Sequence, residues 1–455
     1  MSTAARGSWR PEAPAAEVPE TAPGSKVAFG ALMVFTFILL FAPQEYVPLL
    51  GTIRVAFLAA GTGIVAEVVH RLLNRRPLLV PGRELRLVAT LVAWCVLTAP
   101  FSLWPGGSID FLLARYLKTV SIFWLLVSTV DSRTRLLRVA WMLVLLSVPL
   151  SATAVYNFAT GAFIAMAPGR IVGYGAPLTG NPNDLALTLN ILLPLAVGLF
   201  LSRRGAASRA LLGGIVVLDA VGVVVTFSRA GLVTLLAIVA LYLAKLVRAG
   251  RPGWALASIV ILVCSLPLLP AGYAARLATI TSPESDPTGS AQERWSDTVV
   301  ATRLMLTHPL GAGLGANTLA LNQERGATWR PVHNVYLEYG VELGIPGLVL
   351  FLMLMRSCYR RVRRVEREGA GDQPPSDLVH LAAALRVSLL AFALAALFHP
   401  VGYEFYFYYL GGLAVGTHRI FLSTRARTPA TVSAEGASST ATGRALSAAP
   451  GGATA

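Results

Sequence analysis

Long apolar runs separated by short polar breaks fill most of the chain between residues 27 and 421. A helix needs about 20 apolar residues to cross the roughly 30 Å hydrocarbon core of a bilayer, and these runs have about that length. Twelve of them are predicted to span the membrane, at 27–43, 46–69, 87–104, 110–130, 136–157, 185–202, 210–227, 230–247, 254–271, 334–355, 379–399 and 402–421. The pattern therefore predicts an all-α, polytopic integral membrane protein of about 12 transmembrane helices.

Arginine and lysine are concentrated in every second break between the predicted helices, for example at 71–86 and 356–367. Cytoplasmic loops carry such an excess of positive charge, so these breaks should face the cytoplasm. This orientation places both termini in the cytoplasm. The chain then consists of a disordered leader (1–26), a membrane domain (27–421) and a disordered, Ser/Thr/Ala/Gly-rich tail (422–455).

One outer loop is much longer than a connection between two helices requires. It covers residues 272–333 and precedes the tenth predicted helix, whereas the other sizeable outer loop covers 158–184. The turn-forming residues of 281–290 predict a mobile segment. The following stretch, Gln292–Leu306, has the pattern of an amphipathic helix at a membrane surface. We expect that helix to lie on the outer surface and to cover a site beneath it.

The composition excludes an ordinary soluble domain, because 55% of the 455 residues are hydrophobic and only 13% are charged. A net charge of +15 would suggest nucleic-acid binding in a soluble protein, but here most of the excess lies in the short cytoplasmic breaks. The 3 cysteines form no disulfide or metal-binding pattern. Membrane lipids are therefore the expected surroundings, and no nucleic acid, metal or cofactor is expected.

A polar stripe lies where the large outer loop meets the tenth predicted helix. If the segment is helical, Asn334, Glu338 and Glu342 share one face, because they are spaced by four residues. Each charge near the middle of a bilayer costs about 2.5–3.5 kcal/mol, so the stripe must face protein or water. His333 precedes the stripe at the membrane boundary, where proton-transfer chemistry is possible.

The segment from His333 to Gly347 reads His-Asn-x-x-Leu-Glu-x-Gly-x-Glu-x-Gly-x-x-Gly. It resembles the motif that closes the large outer loop in the superfamily of O-antigen ligases and O-antigen polymerases. Three further segments are similar to motifs of that superfamily and follow the same order: 179–186 (TGNPNDLA), 226–231 (TFSRAG), and Arg294-Trp295 with 308–315 (HPLGAGLG). The resemblance covers about residues 150–355.

This resemblance implies a metal-independent, inverting glycosyltransferase of the bacterial inner membrane, with its active site facing the periplasm or the cell exterior. The implied donor is an oligosaccharide linked to a polyprenyl lipid, such as undecaprenol, through a diphosphate. The acceptor would be a second glycan, a lipid A core or a protein. Other polysaccharide assembly proteins are possible partners. His333 would be the general base, since a histidine with a pKa of about 6.5 can remove a hydroxyl proton near neutral pH.

Arginines on the expected outer side are candidate ligands of the diphosphate, because guanidinium pairs bidentately with phosphate. We assign this function to Arg229 and Arg294, which coincide with the motifs, and extend it to Arg170 in the 158–184 loop. Arg54, eight residues into the second predicted span, is a further candidate. The alternative for all four is a salt bridge, or a long side chain that reaches the membrane surface.

Several polar and aromatic residues allow both a structural and a functional interpretation. Asn183 or Asp184 can cap the sixth helix, and Asn183 can also bind sugar hydroxyls. Asn334 and Glu338 are candidate substrate ligands, and Glu338 or Glu342 is a candidate to orient His333. His399 precedes Pro400 at the end of a predicted span and fits either role. The aromatic run 403–409 is typical of an interfacial belt, with a sugar-stacking surface as the alternative.

Three functions remain open from the sequence. A polymerase and a ligase differ in the acceptor, and the sequence departs from neither. A transporter, for example of a small anion, would also use many spans and intramembrane arginines. The absence of an internal repeat and the single large loop argue against a transporter.

Overall fold

The computed structural model describes residues 24–78, 80–164, 170–176, 178–265, 267, 290–326, 329–371 and 376–445. Within these ranges the chain is helical apart from loops and one isolated bridge between Phe163 and Ile171. The prediction of an all-α protein is confirmed. The predicted leader up to residue 23 and the turn-rich part of the outer loop, 281–289, lie outside the described residues.

Seventeen α-helices lie in the described ranges and are numbered here in chain order. They are α1 Lys26–Phe41, α2 Pro48–Thr52, α3 Val55–Leu73, α4 Arg83–Thr98, α5 Pro105–Phe111, α6 Leu117–Thr129, α7 Arg133–Ala159, α8 Pro182–Ser202, α9 Ala206–Val225, α10 Arg229–Arg248, α11 Pro252–Ser265, α12 Ser290–Thr307, α13 Asn317–Arg325, α14 Val335–Glu342, α15 Gly344–Glu368, α16 Asp377–Ala395 and α17 Phe405–Ala445.

Eight helical stretches among the described residues are long and apolar enough to cross a membrane. They are Val55–Leu73, Arg83–Phe101, Pro105–Thr129, Arg133–Ala159, Pro182–Ser202, Ala206–Val225, Arg229–Arg248 and Asp377–Ala395. Shorter apolar helices cover Lys26–Phe41 and Pro252–Cys264. The protein is therefore a multi-span helical membrane protein, while the total of twelve spans stays a prediction.

Three predicted segments differ from the helices in the structure. The second predicted span begins only at Val55, because Arg54 adopts a left-handed conformation with φ of 51°. The span predicted at 334–355 is divided between α14 and α15 at Gly344, whose φ of 68° suits glycine. Helix α17 continues to Ala445, into the segment for which the sequence predicts disorder.

Helix α8 is the central helix of the membrane domain and packs against α16, α9 and α7. A Cβ atom at Gly198 would lie 2.6 Å from the Cβ of Ala384, so glycine permits the close approach of α8 and α16. Asn190 donates its side-chain N–H to the carbonyl of Gly231 at 2.9 Å and joins α8 to α10. Asn181 caps α8 by accepting from the backbone N–H groups of Asn183 and Asp184. The cap is therefore Asn181, and not Asn183 or Asp184 as predicted.

The aromatic run at the start of α17 is buried in the core. Tyr408 bonds through its hydroxyl to Tyr116 at 2.7 Å and to Tyr339 at 2.9 Å. The Tyr339 ring also stacks on Phe351, with centroids 4.1 Å apart. Residues Tyr403, Tyr406, Phe407, Tyr408 and Tyr409 are all less than 9% exposed. The interpretation as an interfacial belt is therefore wrong, because the rings pack between α14, α15, α17 and the residue before α6.

The described part of the large outer loop packs around one buried carboxylate. Asp297 of α12 is 1% exposed and accepts hydrogen bonds from Arg325, at the end of α13, and from Arg330. The Arg330 contact, from Nε to Oδ2, is 2.9 Å long. These ion pairs join α12 to the segment that leads into His333. The helix predicted at Gln292–Leu306 is confirmed as α12, Ser290–Thr307.

Replacing Asp297 by Asn should loosen this loop, since two guanidinium groups lose their counter-ion. We expect a local loss of stability of about 3 kcal/mol. Amide hydrogen exchange across 290–326 should then be roughly 100-fold faster. Glu324→Gln, at an exposed position of the same loop, is the matched control and should change exchange by less than about threefold, or about 0.5 kcal/mol. Equal protection in Asp297→Asn and the wild type would contradict this account of the loop.

The predicted orientation can be tested with single cysteines in a Cys264→Ser background, in which Cys95 and Cys358 are buried. Gln323 in α13 and Gly371 after α15 are both exposed. A membrane-impermeant thiol reagent added to intact cells should label Gln323→Cys and leave Gly371→Cys unlabelled until the membrane is opened. The reverse pattern would invert the topology.

Candidate active site

His333 lies at the start of α14, which two interactions hold in place. Asn334 is the N-cap of the helix, and its side chain accepts from the backbone N–H groups of Tyr336 at 2.9 Å and Leu337 at 3.2 Å. The backbone N–H of Val335, the first residue of α14, donates at 2.8 Å to the carbonyl of Ala396, the residue that follows α16. Asn334 therefore has the role of a helix cap, and the two helix ends fix the position of His333.

A cavity of about 360 Å³ opens in front of His333. Its walls come from the segment before α8, from the start of α8, and from the loop between α16 and α17. The lining residues are Ile164, Arg170, Leu178, Asn181, Pro182, Asn183, Asp184, His333, Phe398, His399, Pro400, Val401, Glu404 and Tyr406. Three of the predicted site residues, Arg170, Asn183 and His333, are thus brought together.

Asn183 connects the cavity to the start of α10. Its side-chain oxygen accepts from Arg170 Nη2 at 2.9 Å and from Ser228 Oγ at 2.9 Å. Ser228 is also the N-cap of α10, because its hydroxyl accepts from the backbone N–H of Gly231. Arg229 is the first residue of that helix and lies directly beside this network. Arg229 therefore follows directly after Ser228, which shares the side-chain oxygen of Asn183 with Arg170.

The charge of Arg294 in α12 acts on the two histidines of the cavity. Burial and then this charge lower the pKa of His333 to about 4. Burial also lowers the pKa of His399, and Arg294 contributes in the same direction. The Nδ1 atom of His333 is buried without a hydrogen-bond partner. Both histidines are thus held neutral near pH 7, where an unprotonated imidazole can accept a proton or a hydrogen bond.

Three residues assigned to the site from the sequence, Glu338, Glu342 and Arg54, lie away from His333 in the structure. Glu338 accepts from the backbone N–H of Gly402 at 2.9 Å, and Glu342 accepts from the N–H of Gly315 at 2.8 Å. The hypothesis that either carboxylate orients His333 is therefore wrong, because both are bonded to loops. Arg54 is exposed, is the N-cap residue of α3, and is not among the residues that line the cavity.

The structure adds His399 and Glu404 to the cavity. The sequence contained a signal for His399 as a site residue, because it is a histidine at the expected outer end of a predicted span, as His333 is. The proximity of the two histidines depends on the packing of α14 against the end of α16, which the sequence pattern does not reveal. Among the described residues no group of three or more His, Cys, Asp or Glu side chains has the arrangement of a metal site.

Comparison with known proteins gives a family match and similarities to solved structures. The family model described as O-antigen ligase matches residues 214–352. A chain in the structure described as "Structural coordination of polymerization and crosslinking by a peptidoglycan synthase complex" is similar, with 17% sequence identity and a TM-score of 0.42. That similarity covers 76% of this chain and 97% of the other. No curated protein matches the sequence.

The family match contains five of the predicted site residues, Arg229, Arg294, His333, Asn334 and Glu338, and it ends within α15. It also includes α12, which carries Arg294, and α14, which follows His333. The motifs identified in the sequence at 226–231, 294–295, 308–315 and 333–347 all fall inside it. Residues 214–352 are therefore similar to the O-antigen ligase family, which agrees with the resemblance of these motifs.

Proposed function

We propose that this protein transfers a glycan from a polyprenyl-diphosphate donor to an acceptor hydroxyl at the outer face of the bacterial inner membrane. The observation that carries the proposal is the cavity in which the neutral His333 faces Arg170, under the electrostatic influence of Arg294. A base beside guanidinium groups suits a reaction that removes a proton and releases a diphosphate. The match of residues 214–352 to the O-antigen ligase family supports the same chemistry.

The arginines would bind the donor. Arg170 lines the cavity and bonds to Asn183, Arg229 follows Ser228, the other partner of Asn183, and Arg294 lies in α12, outside the cavity lining. A planar guanidinium can bind two phosphate oxygens at once, and each charge-assisted hydrogen bond contributes about 1.5–3 kcal/mol. Three such groups can stabilise the charge that develops on a departing diphosphate. No metal ion is then needed for the leaving group.

His333 would be the general base. Its imidazole takes the proton of the acceptor hydroxyl, the hydroxyl oxygen forms a bond to the anomeric carbon, and the bond from that carbon to the diphosphate breaks. Direct displacement of this kind inverts the anomeric configuration. A bound diphosphate would offset the charge of Arg294, which lowers the pKa of His333. Donor binding should therefore make His333 a stronger base at the moment when the base is required.

The acceptor distinguishes two members of the proposed class. A polymerase would use the end of another lipid-linked glycan, and a ligase would use a lipid A core. Both would work beside membrane lipids, with both termini of the chain in the cytoplasm, and other polysaccharide assembly proteins would be natural partners.

The activity can be tested with purified protein in liposomes that contain a lipid-linked oligosaccharide. Release of polyprenyl diphosphate together with formation of a new glycosidic linkage, undiminished by a chelator, is the expected result. Transport of a small anion without glycan transfer would overturn the proposal in favour of a transporter.

Replacing His333 by Ala should leave the protein folded, because the residue lies at a helix end and is only partly buried. Transfer per folded molecule should fall by about 10²–10⁴-fold, which is the usual contribution of a general base. His308, which is exposed and contacts Thr307, provides the matched control through His308→Ala. Comparable activity in the two variants would remove His333 from the mechanism.

Two substitutions of Arg294 separate its charge from its geometry. In the wild type, kcat/KM should fall as the pH drops through about 4, because this acid limb of the pH profile reports protonation of His333 in the free enzyme. Arg294→Gln removes a positive charge that lowers the pKa of His333, so the limb should move to higher pH. Arg294→Lys keeps the charge and should leave the limb in place, while donor KM rises because the planar fork is lost. An unchanged limb in Arg294→Gln would contradict this electrostatic coupling.

A further inference from the structure

An open groove of about 600 Å³ lies between α1 and α7 on the surface of the helix bundle. Met33 of α1 forms one wall, and side chains of α7 from Thr134 to Leu146 form the remainder. The groove shares no lining residue with the cavity in front of His333. It is therefore a separate feature of the molecule, and the proposed transfer reaction gives it no role.

Helix α8 separates the groove from the active-site cavity. Asn183, near the start of α8, lines that cavity. Arg203, the residue after α8, places its Cζ atom 5.6 Å from the ring centre of Trp141, which lines the groove. The 21 residues of α8 span about 30 Å, the thickness of the hydrocarbon core. The groove therefore lies toward the opposite membrane surface, which is the cytoplasmic one on the predicted orientation.

Polar and apolar side chains occupy different ends of the groove. Thr134 and Arg138 lie in the first two turns of α7, which begins at Arg133. Met142 and Leu145 follow one to two turns further along the helix, and Leu145 is 48% exposed. A molecule that fills the groove therefore meets a guanidinium near the membrane surface and apolar side chains deeper in the bilayer. A phospholipid has the same arrangement, with a phosphate at the surface and acyl chains inside.

Arg138 carries a charge that no carboxylate of the described residues neutralises. The two other arginines at the start of α7 are paired, Arg133 with Asp377 and Arg135 with Asp131. Those two side chains join elements of the protein, whereas Arg138 is exposed at the groove. Its planar guanidinium is thus available to a phosphate group, which it can bind through two oxygens.

Arg203 adds a second positive charge beside the groove. Its guanidinium faces the ring of Trp141, and its Nε atom is buried without a hydrogen-bond partner in the part of the chain that the structure describes. Trp141 itself is partly buried and lies between Arg138 and the apolar end of the groove. Tryptophan is enriched at the headgroup level of membranes because its ring is amphipathic. The groove thus combines a positive potential with side chains suited to a lipid at a membrane surface.

We propose that the groove binds an anionic phospholipid, with its phosphate on Arg138 and an acyl chain along Trp141 and Leu145. Anionic lipid headgroups bind in basic pockets between transmembrane helices on the cytoplasmic side. A zwitterionic phospholipid offers the same phosphate and chains, but Arg138 and Arg203 repel its own positive group. The groove should therefore prefer the anionic lipid. This inference is independent of the proposed function, because the groove lies at the other end of α8 from the active-site cavity.

Quenching of Trp141 fluorescence by brominated lipids measures this preference in a membrane. The full chain is reconstituted in vesicles of equal parts phosphatidylglycerol and phosphatidylcholine, with bromine on the chains of one lipid or of the other. Because the two samples differ only in which lipid carries bromine, the ratio of quenching gives the relative affinity of the two lipids. Each protein is compared with its Trp141→Phe counterpart, so that the difference isolates Trp141 from the other tryptophans.

In the wild type the relative affinity at Trp141 should favour phosphatidylglycerol about 5-fold, the usual effect of one arginine near an anionic membrane surface. Arg138→Gln should lose most of this preference and stay folded, because Arg138 is exposed and pairs with no carboxylate of the described residues. Arg356→Gln is the matched control. It removes the same charge at an exposed position of α15 outside the groove, and it should keep the full preference.

Four results would overturn the inference. Equal quenching by the two lipids in the wild type would show that the groove has no charge preference. A preference that survives in Arg138→Gln, or one that is lost equally in Arg356→Gln, would assign it to the surface charge of the whole protein. Displacement of brominated phosphatidylglycerol by a small fraction of polyprenyl diphosphate would make the groove a site for that lipid. None of these measurements depends on glycan transfer.

Discussion

The hydrogen bond from the Val335 N–H to the Ala396 carbonyl, 2.8 Å long, is the contact on which the site depends. A helix leaves its first N–H groups and its last carbonyls without partners. Here the first donor of α14 and a terminal acceptor of α16 satisfy each other, and Asn334 caps the next two N–H groups. His333 lies two residues before this bond and His399 three residues after it. One backbone contact therefore sets the separation of the two imidazoles.

The two glutamates that follow His333 in α14 hold neighbouring loops against that helix. Glu338 and Glu342 are 6% and 0% exposed, a costly position for a carboxylate unless it is hydrogen-bonded. Glu338 holds Gly402 in the loop that carries His399. Glu342 holds Gly315, whose φ of 75° is open to glycine and costly for other residues. The two carboxylates thus fasten two loops to α14, and the loop that Glu338 holds forms part of the cavity wall.

Hydropathy predicted most of the membrane domain, because an apolar segment that crosses a bilayer must satisfy its backbone N–H and C=O groups internally, and a helix does so. It missed the breaks at Arg54 and Gly344, where one left-handed residue interrupts a run that stays apolar. The site was predicted in part. His333, Arg170 and Asn183 meet in the cavity, whereas the expected partnership of Glu338 with His333 was wrong, since helical spacing says nothing about neighbouring loops. His399 depends on contacts between α14 and α16, which are distant in sequence.

The family match covers only part of the proposed site. Arg229, Arg294 and His333 lie within residues 214–352, whereas Arg170, Asn183 and His399 lie outside it. On the proposed function, the matched segment supplies the base and two of the cations that stabilise the leaving group. On the same proposal, the flanking segments would supply the surface that the glycan contacts. Changes in the flanks can then alter the sugar that is accepted while the reacting groups stay in place, because Asn183 joins the two parts through Ser228, one residue before Arg229.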